Sequence, residues 1–241
     1  MKKLSVIVLI SLIWLAFGAI TSAEAMLIRV SQESSVGSDD FDDNVLGYIA
    51  PFVPTTPMTA ANFYSFGNPL FYSYNGNQNG GPAPEAGLSQ FFLVQASDGL
   101  ALTVVHDTPG GIMNGNAQTY WELFGDTAEL LVKDDATEIS STGSNQFTGT
   151  HGWVASWNDG YVIGSLDNDW SLFGQFSSLP TGIDAWEAVS SSGSSIALEL
   201  DPKRRVRLDT VAHVPEPATM ILFCTGLLGL AGFCRKKLFK K

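Results

Sequence analysis

From residue 88 onward the chain alternates short apolar runs with turn-forming clusters, at a spacing too short for helices and well suited to strands. Leu88–Ala96 and Leu100–His106 flank Ser97-Asp98-Gly99, and Asp-Gly between β-rich runs predicts a hairpin because glycine adopts positive φ without steric cost. The same chemistry recurs where His151–Trp157 and Tyr161–Leu166 flank Asn158-Asp159-Gly160, which predicts a second hairpin. Thr119–Phe124 and Ala128–Lys133 read as two strands joined at Gly125-Asp126 or as a helix. The neighbouring strands favour the first. Trp170–Phe176, Ala185–Val189, Ile196–Leu200 and Arg204–Leu208 complete the strand pattern, the last two alternating as strands with one buried and one wet face do. Thr137–Thr150, rich in Ser, Thr and Gly, reads as a loop.

The N-terminal part is less regular. Met26–Val30 and Leu46–Val53 read as strands. Residues 62–74 (NFYSFGNPLFYSY) are aromatic-rich and predict two strands turning at Gly67-Asn68-Pro69. Asn75–Gly87 is a loop of Asn, Gly and Pro that could divide a small subdomain from the rest or be a long sandwich loop. About a dozen strands with few helices predict a mainly β fold, an antiparallel β-sandwich of jelly-roll-like or immunoglobulin-like type.

Both ends of the chain stand apart from this pattern. Lys2-Lys3, an apolar run from Leu4 to Ile20 and the A-x-A sequence Ala23-Glu24-Ala25 predict a cleaved signal peptide over residues 1–25 and export through the Sec translocon. Ala218–Cys234 is 17 residues without a charge. As a helix it would be about 25 Å long, near the short limit for a membrane span. Arg235, Lys236 and Lys237 follow as a stop-transfer cluster that keeps that end cytoplasmic.

The sequence Pro215-Glu216-Pro217, then the short apolar segment with Gly226, Gly229 and Gly232, then Arg-Lys-Lys, resembles the PEP-CTERM sorting signal of Gram-negative bacteria. The resemblance covers Val214–Lys241 only. It implies recognition of Pro215, Glu216 and Pro217 by an exosortase, a membrane transpeptidase. It also implies an inner-membrane-tethered intermediate, and delivery to the cell surface or extracellular matrix, often alongside exopolysaccharide or biofilm production. It implies nothing about the exported segment 26–213.

That segment carries six basic against 22 acidic residues, a formal charge of −16 where the whole chain has −11. Nucleic acid is thereby disfavoured as a partner, because phosphate binding needs clustered cations. Both cysteines, Cys224 and Cys234, lie in the C-terminal apolar segment, so the exported part has neither a thiol nucleophile nor a disulfide. Asp39, Asp40, Asp42 and Asp43 crowd a polar loop. This reads as a solvated acidic turn, with Ca²⁺ ligation the functional alternative and no other cofactor indicated. His106, His151 and His213 form no zinc-protease motif, and neither G-x-S-x-G nor a phosphate-binding glycine loop is present. Trp153 and Trp157 are an even number apart and would share a face of a regular strand, where they could stack on sugar rings or sit in the core. The reading is a non-enzymatic structural or adhesive matrix protein. The alternatives are a carbohydrate-binding module and a secreted glycoside hydrolase.

Overall fold

The computed structural model of the chain describes residues 26–66, 73–111, 114–155, 157–191 and 197–210. The expected signal peptide, the expected turn at 67–69, the Pro-Glu-Pro motif, the apolar segment 218–234 and its basic cluster lie outside the described residues. Among the described residues no helix is long and apolar enough to cross a membrane.

Thirteen strands are described: β1 (Ile28–Gln32), β2 (Val45–Ile49), β3 (Leu88–Ala96), β4 (Gly99–His106), β5 (Gly115–Phe124), β6 (Glu129–Lys133), β7 (Ile139–Thr142), β8 (Gln146–Trp153), β9 (Asp159–Gly164), β10 (Ser171–Thr181), β11 (Ala185–Val189), β12 (Ala197–Leu200) and β13 (Val206–Thr210). They form two sheets. The first runs β2-β1-β13-β10-β5-β8-β7 and the second β12-β11-β3-β4-β9-β6. The protein is mainly β, and its two sheets pack as a sandwich. One pair, β11 with β3, is parallel, so the second sheet is mixed rather than wholly antiparallel.

The two sheets bury different fractions of their surface, and their sequences show why. In β5, Ala117, Thr119, Trp121 and Leu123 point inward while the intervening residues stay at least partly accessible, the alternation of a sheet with one wet face. β3 and β4 are buried almost throughout, as their near-continuous apolar runs require. The inner face of this sheet joins the main core: Phe91 meets Trp121 of the first sheet edge-on at 5.6 Å, and Trp186 meets Phe176 of the first sheet at 5.0 Å. The outer face of the second sheet, with Phe92, Val94, Ala101 and Val105 of these strands and Val162 of β9, is covered by a separate cluster built from Phe52, Met58, Ala60, Phe63, Tyr64 and Tyr74.

This covering layer corrects the expectation of strands in 62–74. Residues Ala60–Tyr64 form a short helix, α1. The Thr59 hydroxyl accepts from the Asn62 N–H at 3.2 Å and caps it. Ala60, Phe63 and Tyr64, at i, i+3 and i+4, then fall on one buried face. The aromatic content that suggests strands instead supplies the side chains of a lid over the second sheet.

The hairpin predicted around Ser97-Asp98-Gly99 is present as β3–β4, paired from Ala96↔Gly99 to Ser89↔His106. The second predicted hairpin is not. β8 pairs with β5 and β7 in the first sheet, whereas β9 pairs with β4 and β6 in the second. The chain crosses between sheets there, and Asp159 and Gly160 belong to β9 rather than to a turn. A Cβ on Gly160 would stand 2.2 Å from the Val104 carbonyl oxygen, so this glycine serves close strand approach, not turning. The Ser/Thr-rich stretch read as a loop contains β7 and the start of β8, joined through Gly143 at φ +71°. Its Ile139 and Phe147 point into the core and its hydroxyl residues point outward, giving an edge hairpin with a polar outer face.

Candidate functional site: a buried histidine–carboxylate cluster

The crossing from β8 to β9 brings four segments together between the sheets. β8 contributes His151 from the first sheet, and β9 contributes Asp159 from the second. His106 on β4 is the register partner of Asp159. Glu138 and Asp134 come from the connection between β6 and β7.

His106 and His151 are wholly buried. Their rings lie 5.1 Å apart. His106 stacks on Trp153 at 5.5 Å and His151 on Tyr161 at 4.8 Å, both at 15° between planes. His106 Nδ1 shares a hydrogen bond with Ser89 Oγ at 2.9 Å. The orientation of His151 is set from behind. Trp121 Nε1–H donates to Tyr161 Oη at 2.6 Å, Tyr161 O–H donates to Thr119 Oγ1 at 3.1 Å, and Thr119 Oγ1 faces His151 Nε2 at 3.3 Å. Gly149 leaves room for this contact, because a Cβ there would stand 2.2 Å from His151 Nε2.

The other ring nitrogen, Nδ1, faces acids. Asp159 Oδ1 is 3.4 Å from it and Glu138 Oε2 is 4.0 Å. Asp159 is fixed by its second oxygen, which accepts from the Gly152 N–H at 3.0 Å. His151 Nδ1, Asp159 Oδ1 and Glu138 Oε2 are buried atoms with no donor or acceptor satisfying them by ordinary hydrogen-bond geometry. Ionised carboxylates only accept, so Asp134, Glu138 and Asp159 can bond to one another only by sharing protons. Burial first, and then the neighbouring Asp134, push the carboxyls of Glu138 and Asp159 well above the usual range. Burial lowers His151 to about 4 and His106 well below its ordinary value, so both rings are neutral near pH 7. Glu138, His151 and Asp159 are the one group of three potential metal ligands among the described residues, their ligand atoms all within 4.8 Å of one another.

Of the residues singled out by sequence, the acidic loop lies elsewhere, and Trp153 borders the cluster through His106. The acidic loop at Asp39–Asp43 folds against the outer face of the first sheet. Asp39 pairs with Arg205 and Asp42 with Arg207, and Arg29 stands 4.0 Å from Asp42. Asp40 accepts from Ser34 Oγ at 3.4 Å. Phe41, nearly buried, anchors the loop edge-on to Phe173 at 5.3 Å, under the guanidinium groups of Arg205 and Arg207. Asp39 and Asp42 thus face guanidinium groups instead of converging on a common point for Ca²⁺. Trp153 and Trp157 do not share a strand face, because β8 stops at Trp153. Trp153 is packed in the core against His106, too buried to stack on an outside ligand, while Trp157 lies beyond the strand and is about half exposed.

Sequence reasoning missed Glu138, His151 and Asp159 as a group. The alternation of Phe147, Gly149, His151 and Trp153 could have placed His151 on an inward face. Nothing in the local sequence marks Glu138.

Residues 213–236, beyond the described part, match the family model of the PEP-CTERM protein-sorting motif. The C-terminal segment is a PEP-CTERM sorting signal. Its presence marks the protein for export and for exosortase-type processing, with the cell surface or extracellular space as destination. No curated protein and no solved structure shows significant similarity to the chain.

Proposed function

We propose that the protein is a non-catalytic structural or adhesive component of the cell surface or extracellular matrix, associated with exopolysaccharide. In this reading it is delivered through an inner-membrane-tethered intermediate from which an exosortase releases it. The observation that carries the reading is the PEP-CTERM signal at residues 213–236. Two features of the sandwich support a scaffold role. Its second sheet is covered on both faces, and His106 and His151 lie behind packed aromatic rings. The first sheet offers a wide outer face of paired charges and half-exposed rings, including Phe124, suited to contact with hydrated polymers.

The test is replacement of Pro215, Glu216 and Pro217 by alanine in the native cell. The altered protein should accumulate unprocessed in the inner membrane and disappear from the matrix fraction. Normal maturation and normal release would reduce the segment to a plain anchor and remove the basis of the reading.

A further inference from the structure

We propose that Glu138, His151 and Asp159 form a binding site for one divalent transition-metal ion, of the class that accepts mixed imidazole and carboxylate ligands, such as Zn²⁺ or Mn²⁺. The proposal is independent of the sorting signal and of the matrix role.

Three observations converge. The first is spacing. Zinc ligands at about 2.1 Å from the metal in a tetrahedral site stand roughly 3.4 Å from one another. His151 Nδ1 and Asp159 Oδ1 are 3.4 Å apart, and Glu138 Oε2 is 4.0 Å from the same nitrogen. The Glu138 side chain retains some exposure, so a small rotation closes the remaining gap.

The second is the state of the ligand atoms. The nitrogen and both oxygens are buried, close to one another, and without a hydrogen-bond partner when the acids are ionised. A buried acceptor without a partner is costly, and here three share one small volume. A dication would satisfy all three at once, in place of the protons that the acids otherwise share. The two ligand carboxylates, once ionised, also balance its charge.

The third is the support around the ligands. A metal-bound histidine ordinarily presents its other nitrogen to an oxygen acceptor. His151 Nε2 faces Thr119 Oγ1, which is itself held by the Tyr161–Trp121 chain. Asp159 is oriented by the Gly152 N–H on its second oxygen. One imidazole with two carboxylates favours Zn²⁺ or Mn²⁺ over Ca²⁺, which prefers six to eight oxygens.

The experiment uses the full chain in detergent, stripped with chelator and titrated with Zn²⁺, Mn²⁺, Ca²⁺ and Co²⁺. Calorimetry should give about one Zn²⁺ per chain, with Ca²⁺ unable to displace it. Co²⁺ should produce visible absorption bands of nitrogen–oxygen ligation. Asp159→Asn and Glu138→Gln should each weaken Zn²⁺ binding by at least about tenfold, as loss of one ligand from so small a set requires. Uptake should release protons and weaken at lower pH, because the metal displaces protons from the two acids. A stripped chain that takes up neither Zn²⁺ nor Mn²⁺ at millimolar concentration overturns the proposal. So does binding that survives both substitutions unchanged. Should a variant fail to fold, the Co²⁺ spectrum of the unaltered chain decides: bands without nitrogen ligation, or none, exclude the site.

Discussion

Asp39, Asp40, Asp42 and Asp43 lie within five residues of one another in the chain, whereas Asp134, Glu138, His151 and Asp159 are gathered from three separate segments. The first group is the conspicuous one in sequence and the better neutralised in space. Its loop lies over a face that carries Arg29, Arg205 and Arg207, and Asp209 beneath accepts from Arg29 at 2.7 Å and from Arg207 at 2.9 Å. The nearby Glu33, buried, accepts from Arg205 Nε at 2.8 Å. Among the described residues no arginine or lysine forms an ion pair with the second group, which faces only the neutral His151. Acidity along a chain says little about unmet charge. What matters is which cations the fold brings alongside, and most of the exported segment's few basic residues are spent on the first sheet.

The largest effect that would sharpen this contrast comes from Trp153→Ala. Removing a core indole should cost about 3–5 kcal/mol in chemical denaturation. It should also admit water beside His106 and the acids. A cost below about 1 kcal/mol would mean that the ring is not core and would revive its role as an outward stacking surface.

A smaller effect, with opposite sign in the two groups, lies in the pH dependence of stability without added metal. The arginine beside Asp42 holds that carboxyl below its ordinary value, and Glu33 is likewise lowered by its hydrogen bonds and by Arg205, against the opposing effect of burial. Their contribution is present above about pH 4 and is lost as the pH falls further. Glu138 and Asp159, raised by burial, hold protons in the folded state that the unfolded chain has already released. Their contribution is lost as the pH rises above the usual carboxylate range. Below about pH 6.5 the buried His106 and His151 act in the opposite direction and offset that loss. Above about pH 6.5 the acids act alone, and stability should fall by about 1.4 kcal/mol per pH unit for each group still protonated. Asp159→Asn should remove its share of this alkaline slope and leave the acid limb intact. Denaturation midpoints measured from pH 3 to 9 check both statements. A profile flat above neutrality in both proteins would place the acids in water.

The smallest effect belongs to the exposed pairs. Asp39→Asn should change stability by less than about 0.5 kcal/mol, and less still in high salt. A loss several times larger would show that the loop is held by charge rather than by Phe41.

Much of the fold is legible in sequence because strand periodicity depends on local alternation. Ala185–Val189 and the hairpin at Ser97-Asp98-Gly99 follow the pattern directly. The failures share a cause. Asn158-Asp159-Gly160 carries turn chemistry, yet Gly160 serves close packing against Val104, and only the pairing of β9 with β4 reveals it. Ala60–Tyr64 is helical because a five-residue face fits the outer side of the second sheet, which strand propensity cannot anticipate. The buried cluster was illegible for the same reason. Its members meet through a crossing between sheets, and no spacing in the chain encodes that meeting.

The pairing of β13 with both β1 and β10 bears on how the domain carries load. β13 leads toward the sorting signal, so tension applied through that end enters the sandwich along this strand. A strand at a sheet edge can peel away one hydrogen bond at a time. β13 is flanked on both sides, by five register pairs to β1 and four to β10, so a pull along its axis strains both ladders together in shear. Through this end the domain should resist extension rather than unzip, and its first strand would act as part of the clamp.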